Sequence, residues 1–259
     1  MSEIRETLAI LKARWPEVTL IIGLGVLSAV LSNRFRVVKS NLSMIGLLLY
    51  FGVSLSFMTV HTILNCGFLR TIYLQGKKQQ SPIVLLKTGK YFFWRMVGFA
   101  LFLMLAYIPL FGIILLVIKS LTSQYLLIYQ LSITLPLLIL IKPLLLMPAL
   151  IIVLDCGVFK SWRLLKHCRF LNAKELVALF CLQITLTFLW ILLRVPYDAK
   201  TISQYSLTIV PTAIVHFAYL TVAVMAVRFV ASLDLLYDTP PVSPDFEDLR
   251  KYSNRNFKE

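Results

Sequence analysis

The sequence predicts an all-α, polytopic transmembrane bundle of about six helices, with interfacial amphipathic helices on its cytoplasmic face. Three observations predict it. Hydrophobic residues make up 59% of the 259-residue chain and charged residues only 15%, more apolar surface than a soluble domain of this length can hide. Apolar runs near the roughly 20 residues that cross a hydrocarbon core recur along the chain and leave little for a water-soluble domain. The basic residues cluster in alternate loops, the pattern that sets membrane topology.

Residues 1–16 read as an interfacial helix. Ser2 can cap it, and Ile4, Leu8, Leu11 and Trp15 make one apolar face. Arg5, Lys12 and Arg14 favour a headgroup setting before Pro16 ends the helix. Residues 17–238 hold the six spans. The first, 17–32, is short and carries Gly25, Ala29 and Ser32 as a small-residue packing face. The second, 42–65, puts Ser54, Met58, His61 and Asn65 on one weakly polar side that should face protein, and Cys66-Gly67 is expected to end it. Ser81-Pro82 then starts a short helix, with Ser as cap and Pro in the first turn. Tyr91, Phe92, Phe93 and Trp94 form an aromatic belt at the interface, and Arg95 anchors the entrance to the third span, 93–118, which Pro109 and Gly112 are expected to kink.

The fourth apolar stretch, 125–154, exceeds a bilayer crossing and contains Pro136, Pro143 and Pro148. It is either one long bent helix or a short interfacial piece followed by a span. The fifth and sixth spans cover 175–193 and 207–236, and residues 239–259 form a Pro-rich linker and charged tail.

Residues 142–167 organise the chain. An apolar run ends at Asp155, Cys156-Gly157 turns it, and a basic, aromatic helix follows on the membrane face. With the N-terminus in the cytoplasm, the inside segments hold 19 basic residues and the outside loops six, which predicts a cytoplasmic (inner) membrane protein with both termini inside. The net charge of +14 is therefore assigned to topology and to anionic lipid headgroups. No basic groove or base-stacking module points to nucleic acid. Glu3 and Glu6 do not suit the start of a cleavable signal peptide.

Two octets share a pattern of polar-Cys-Gly-apolar-apolar-basic-hydroxyl-apolar: Asn65, Cys66, Gly67 and onward to Ile72, and Asp155, Cys156, Gly157 and onward to Trp162. They are either a parallel internal repeat or two similar helix ends. Lys142, Pro143 and Pro148, the Asp155-x-Gly157-x-x-x-Ser161-Trp162 turn, and Tyr237 at the end of the sixth span carry a further likeness. In these the chain resembles a loosely defined group of bacterial six-helix membrane proteins that includes the membrane domain fused to some glycerophosphodiester phosphodiesterases. The resemblance implies a fold and a membrane address. The soluble phosphodiesterase domain has no counterpart here, so it implies no catalytic activity.

The candidate intramembrane polar residues are His61, Lys142, Asp155 and His216. A lysine at the bilayer centre must face the bundle or a wet cavity, where it could contact an anionic solute; if Pro143 starts a helix, Lys142 instead reaches the interface. Asn65 and Asp155 either bind a cation or cap the helices that follow. His61 and His216 either relay protons or hydrogen-bond between helices. After Gly157, Lys160, Arg163, Lys166 and Arg169, with His167, form a basic surface for anionic lipid or a membrane or cytoplasmic protein partner. The four cysteines, Cys66, Cys156, Cys168 and Cys181, have neither CxxC nor zinc-ligand spacing and read as structural thiols. No metal, cofactor or catalytic motif is expected. The expected function is thus non-enzymatic: a scaffold or accessory subunit of the cytoplasmic membrane, or else a small transporter for an anionic or amphipathic solute. A polar cavity joining Lys142 to His61 or Asp155 would mark the transporter, and a dry, packed interior the scaffold.

Overall fold

Apolar sequence with few helix breakers yields helices, and the computed structural model of the chain is helical throughout its described parts. These are residues 2–38, 44–121, 139–166, 168, 174–193 and 202–233, together with 132, 135 and 136. Among the described residues there is no strand. The helices are α1 (Ser2–Ala13), α2 (Trp15–Val38), α3 (Met44–Gln75), α4 (Pro82–Leu121), α5 (Ile141–Leu154), α6 (Val158–Leu164), α7 (Lys174–Leu193) and α8 (Ile202–Ser232).

By length and composition, three stretches can cross a membrane: Leu48–Gln75, Pro82–Ser120 and Ile209–Ser232. Five crossings result if α1 with α2, bent by 87°, and α5 with α6, bent by 113°, each form one broken span. The apolar run in α7, Leu176–Leu186, is shorter. Large apolar side chains such as Phe51, Leu55, Leu105 and Leu116 point out from α3 and α4. In water such a belt would be an aggregation surface; in a bilayer it meets lipid.

The centre of the bundle is α5. Its Leu146, Met147, Leu150, Ile151 and Ile152 have no exposed surface, as expected of a helix apolar on every side. It packs against α3, α4 and α8. Around it, α8 also touches α1, α2, α3 and α7. The closest pair is α3 with α4, which run past one another with two glycines at the contact. A Cβ at Gly67 would overlap the Leu85 carbonyl, and one at Gly89 the Ile63 carbonyl. Small residues allow this approach where no hydrophobic effect drives helices together.

This geometry corrects several readings of the sequence. Cys66-Gly67 does not end a helix: α3 continues to Gln75, and its C-terminal turn is closed by Gly76 in the left-handed region (φ 57°). The short helix at Ser81-Pro82 and the third span are one 40-residue helix, α4, with Pro109 inside it. Ser81 does cap α4, its hydroxyl accepting from the Val84 N–H at 3.4 Å. The two Cys-Gly octets differ in local structure, one lying within α3 and the other at the break between α5 and α6. Arg14 is not at a headgroup surface but fully buried at the break between α1 and α2. The helical turn at α1 ends at Ala13, and Pro16 sits in the first turn of α2. Trp15 therefore begins α2 and is exposed, outside the apolar face of α1.

Candidate functional site

Among the described residues, interacting polar side chains gather in two places. The first is one end of the bundle, where the start of α2, the end of α3, the start of α4, and the ends of α5 and α8 meet. Arg14 pairs with Glu17 and donates to the Thr71 hydroxyl at 2.8 Å, with its guanidinium over the Phe68 ring. Glu17 also accepts from the Gln80 N–H at 2.6 Å, so one buried ion pair ties the α1–α2 break to both sides of the α3–α4 turn. Arg228 of α8 pairs with Glu6 and donates to the Glu3 carbonyl of α1 at 3.1 Å.

At the same end, Arg70 reaches from α3 to the C-terminus of α5. Its Nη1 donates to the carbonyls of Ile152 at 2.6 Å and Val153 at 2.9 Å. The last carbonyls of a helix lack intrahelical donors, and a guanidinium is suited to satisfy them. Asp155 follows in the left-handed region (φ 50°, ψ 43°), one that Asp tolerates better than most residues. Its carboxylate pairs with Arg95 of α4 and accepts from the Tyr91 hydroxyl at 3.4 Å.

Asp155 is thus the C-cap of α5, not a cap for the next helix; α6 has Gly157 at its N-cap and no side-chain cap. Asn65 caps nothing either, since it lies inside α3. Beyond the turn, Ser161 is fully buried, donates to the Gly157 carbonyl at 2.9 Å and lies 3.1 Å from the Cys156 sulfur. Trp162 and Phe159 set their rings edge-on to Phe102 of α4. These contacts make the turn a structural joint. Lys160, Arg163 and Lys166 remain exposed on its far side, whereas Arg169 and His167 lie outside the described residues.

The second place is a cavity of about 510 Å³, partly open, enclosed by α3, α4, α5, α7 and α8. Its volume falls in the range of small-molecule sites, about 300–1,000 Å³. Most of its wall is apolar, with Phe99, Leu145, Ile152 and Phe180 among the lining residues. One strip is polar. His61 and Asn65, one turn apart on α3, face His216 and Tyr219, one turn apart on α8. The histidine rings meet edge to face with centroids 5.6 Å apart. Asn65 Nδ2 donates to the Tyr219 hydroxyl at 3.5 Å, a long contact, and Asn65 Oδ1 is buried without a partner among the described residues. His216 is positioned from behind by Gly25 of α2, where a Cβ would come within 2.7 Å of the ring. Thr62 of α3 and Gln183 of α7 add to the polar lining.

Of the four intramembrane candidates, the structure brings together His61 and His216 and leaves the other two elsewhere. Lys142 is half-buried in the first turn of α5, beside Pro143, and does not line the cavity; Asp155 belongs to the joint. Tyr219 and Gln183 were missed, although the spacing of His216 and Tyr219 on an apolar helix is a signal of the same kind as His61 and Asn65. Among the described residues no group of three His, Cys, Asp or Glu side chains gathers as metal ligands. No protein-family model, no curated protein and no solved structure matches the chain.

Proposed function

We propose that this chain is a non-enzymatic, six-span protein of the cytoplasmic membrane that binds an amphipathic small molecule within its bundle, as a carrier or permease does. The observation that carries this reading is the cavity, with apolar walls and a polar strip built from two facing helices. A scaffold needs no such space, and a closely packed membrane bundle would fill it. Among the described residues the cavity reaches His61 and His216 but neither Lys142 nor Asp155, so the polar connection expected of a transporter is not formed. The carrier reading rests instead on the open apolar space, which suits an amphipathic solute better than an anionic one.

Filling the cavity tests the reading. Ala223 lines it and is half-buried, so Ala223→Phe projects a ring into free space. Native mass spectrometry of the purified protein should show a bound amphiphile on the wild type, with occupancy falling about tenfold in the variant. The thermal midpoint should stay within a few degrees of wild type. A wild-type protein with no retained amphiphile would remove the support for a carrier.

In the same proposal, the joined end of the bundle faces the cytoplasm. Lys78 lies just beyond α3 at that end, and Lys119 closes the far end of α4. Both are exposed. With the four native cysteines replaced, Lys119→Cys should react with a membrane-impermeant maleimide in intact cells, and Lys78→Cys only after the membrane is opened. The reverse pattern would invert the topology.

A further inference from the structure

Resting on the carrier reading of the cavity, we infer that its ligand has an uncharged, hydroxyl-bearing head and an apolar tail. Three features lead there. Among the described residues no Asp, Glu, Lys or Arg lines the cavity, so a permanently charged head would be buried with no fixed counter-charge there. Of the charged groups at the joined end of the bundle, Arg95 and Asp155 are paired with each other and Arg70 is bonded to the last carbonyls of α5.

The second feature is Asn65. Only 8% exposed, its carboxamide has one end joined loosely to Tyr219 and the other joined to nothing among the described residues. A buried polar atom left in this state costs free energy that a ligand group can recover. A ligand hydroxyl both donates and accepts, so it satisfies the amide whichever way its oxygen and nitrogen are turned, and the Tyr219 hydroxyl supplies a second contact. The third feature is the route for a tail. Helices α4 and α7 both line the cavity, through Phe99 and Phe180 among others, but pack on each other only slightly among the described residues. A chain can pass between them towards lipid while its head stays at the polar strip.

The head chemistry is shared by monoacylglycerols and isoprenoid alcohols, and competition separates them. Full-length protein in phosphatidylcholine nanodiscs is cross-linked to a monooleoylglycerol carrying a diazirine on its acyl chain. Cross-links should map to cavity-lining residues of α4 or α7, between which the tail is placed. Unlabelled monooleoylglycerol or farnesol should compete at concentrations about tenfold lower than oleate or oleylamine, and the better of the first two names the acyl or isoprenoid source. Asn65→Leu and Tyr219→Phe should each bring the four competitors towards parity, and Asn65→Asp should favour oleylamine. Oleate or oleylamine competing as well as the uncharged amphiphiles on wild type would overturn the assignment of the head while leaving a cavity that binds amphiphiles. Absence of any cross-link in the cavity would overturn the carrier reading itself.

Discussion

Gly89→Ala and Gly67→Ala are each expected to destabilise the bundle by about 1–3 kcal/mol, an unusual cost for a single methyl group. In an exposed helix the same change favours folding by roughly 0.5–1 kcal/mol, because alanine loses less backbone freedom than glycine. Here the sign reverses because the added carbon meets backbone. At Gly89 it would overlap the Ile63 carbonyl, and at Gly67 the Leu85 carbonyl, neither of which can rotate away as a side chain can. The only relief is separation of α3 from α4, which loosens the contacts along both helices. Gly52 of α3 and Gly112 of α4 provide the controls, since neither has an atom within 4 Å of an added Cβ. Thermal unfolding in one detergent should therefore rank Gly52→Ala and Gly112→Ala at or above wild type, and Gly67→Ala and Gly89→Ala well below it. Equal midpoints for all four would mean that α3 and α4 are not in this register.

The same glycines show where the sequence was misleading. Gly67 follows a cysteine after a long apolar run and precedes basic residues, and by local propensity that reads as a helix stop. Its actual use is at a distance, against a residue on the next helix, and no local pattern carries that information. The turn at Asp155 was legible because there the local signal and the fold agree: the apolar helix ends, Asp155 takes positive φ and the chain bends by 113°. The protein-facing side of α3 was legible only in part: His61 and Asn65, one turn apart, do face protein, whereas Met58, read onto the same side, is exposed. That His216 would be the partner of His61 and Asn65 was not legible, because which spans neighbour each other is settled by packing, and Gly25 helps to settle it from α2. Basic residues were the hardest to place. Arg14 and Arg95 look like interface anchors in sequence and Arg70 like part of a basic loop after the second span, yet each is engaged with groups inside the bundle end, while Lys77, Lys87 and Lys160 stay exposed. The three arginines carry the planar guanidinium that can bridge several acceptors, and the three lysines carry a point charge that prefers water.

Arg70→Leu should cost about 2–4 kcal/mol, because it strips the donor from two carbonyls at the end of the central helix. Arg70 is 6% exposed, and its Nη1 is bonded to both Ile152 and Val153. Leucine fills much of the space left by the side-chain stem and removes a charge from the interior, two effects that favour the variant. They do not supply an N–H to carbonyls that lie away from water. Arg70→Lys should recover only part of the loss, since one ammonium cannot match the reach of a guanidinium held over the Phe92 and Tyr73 rings. Asp155→Asn keeps a residue that tolerates positive φ and removes only the carboxylate charge, so it isolates the pairing with Arg95. That pair is partly exposed, and its loss should cost about 1 kcal/mol or less. The order of unfolding midpoints is then wild type, Asp155→Asn, Arg70→Lys and Arg70→Leu, from highest to lowest. A stable Arg70→Leu with an unstable Asp155→Asn would transfer the closing of α5 from the guanidinium of α3 to the ion pair with α4.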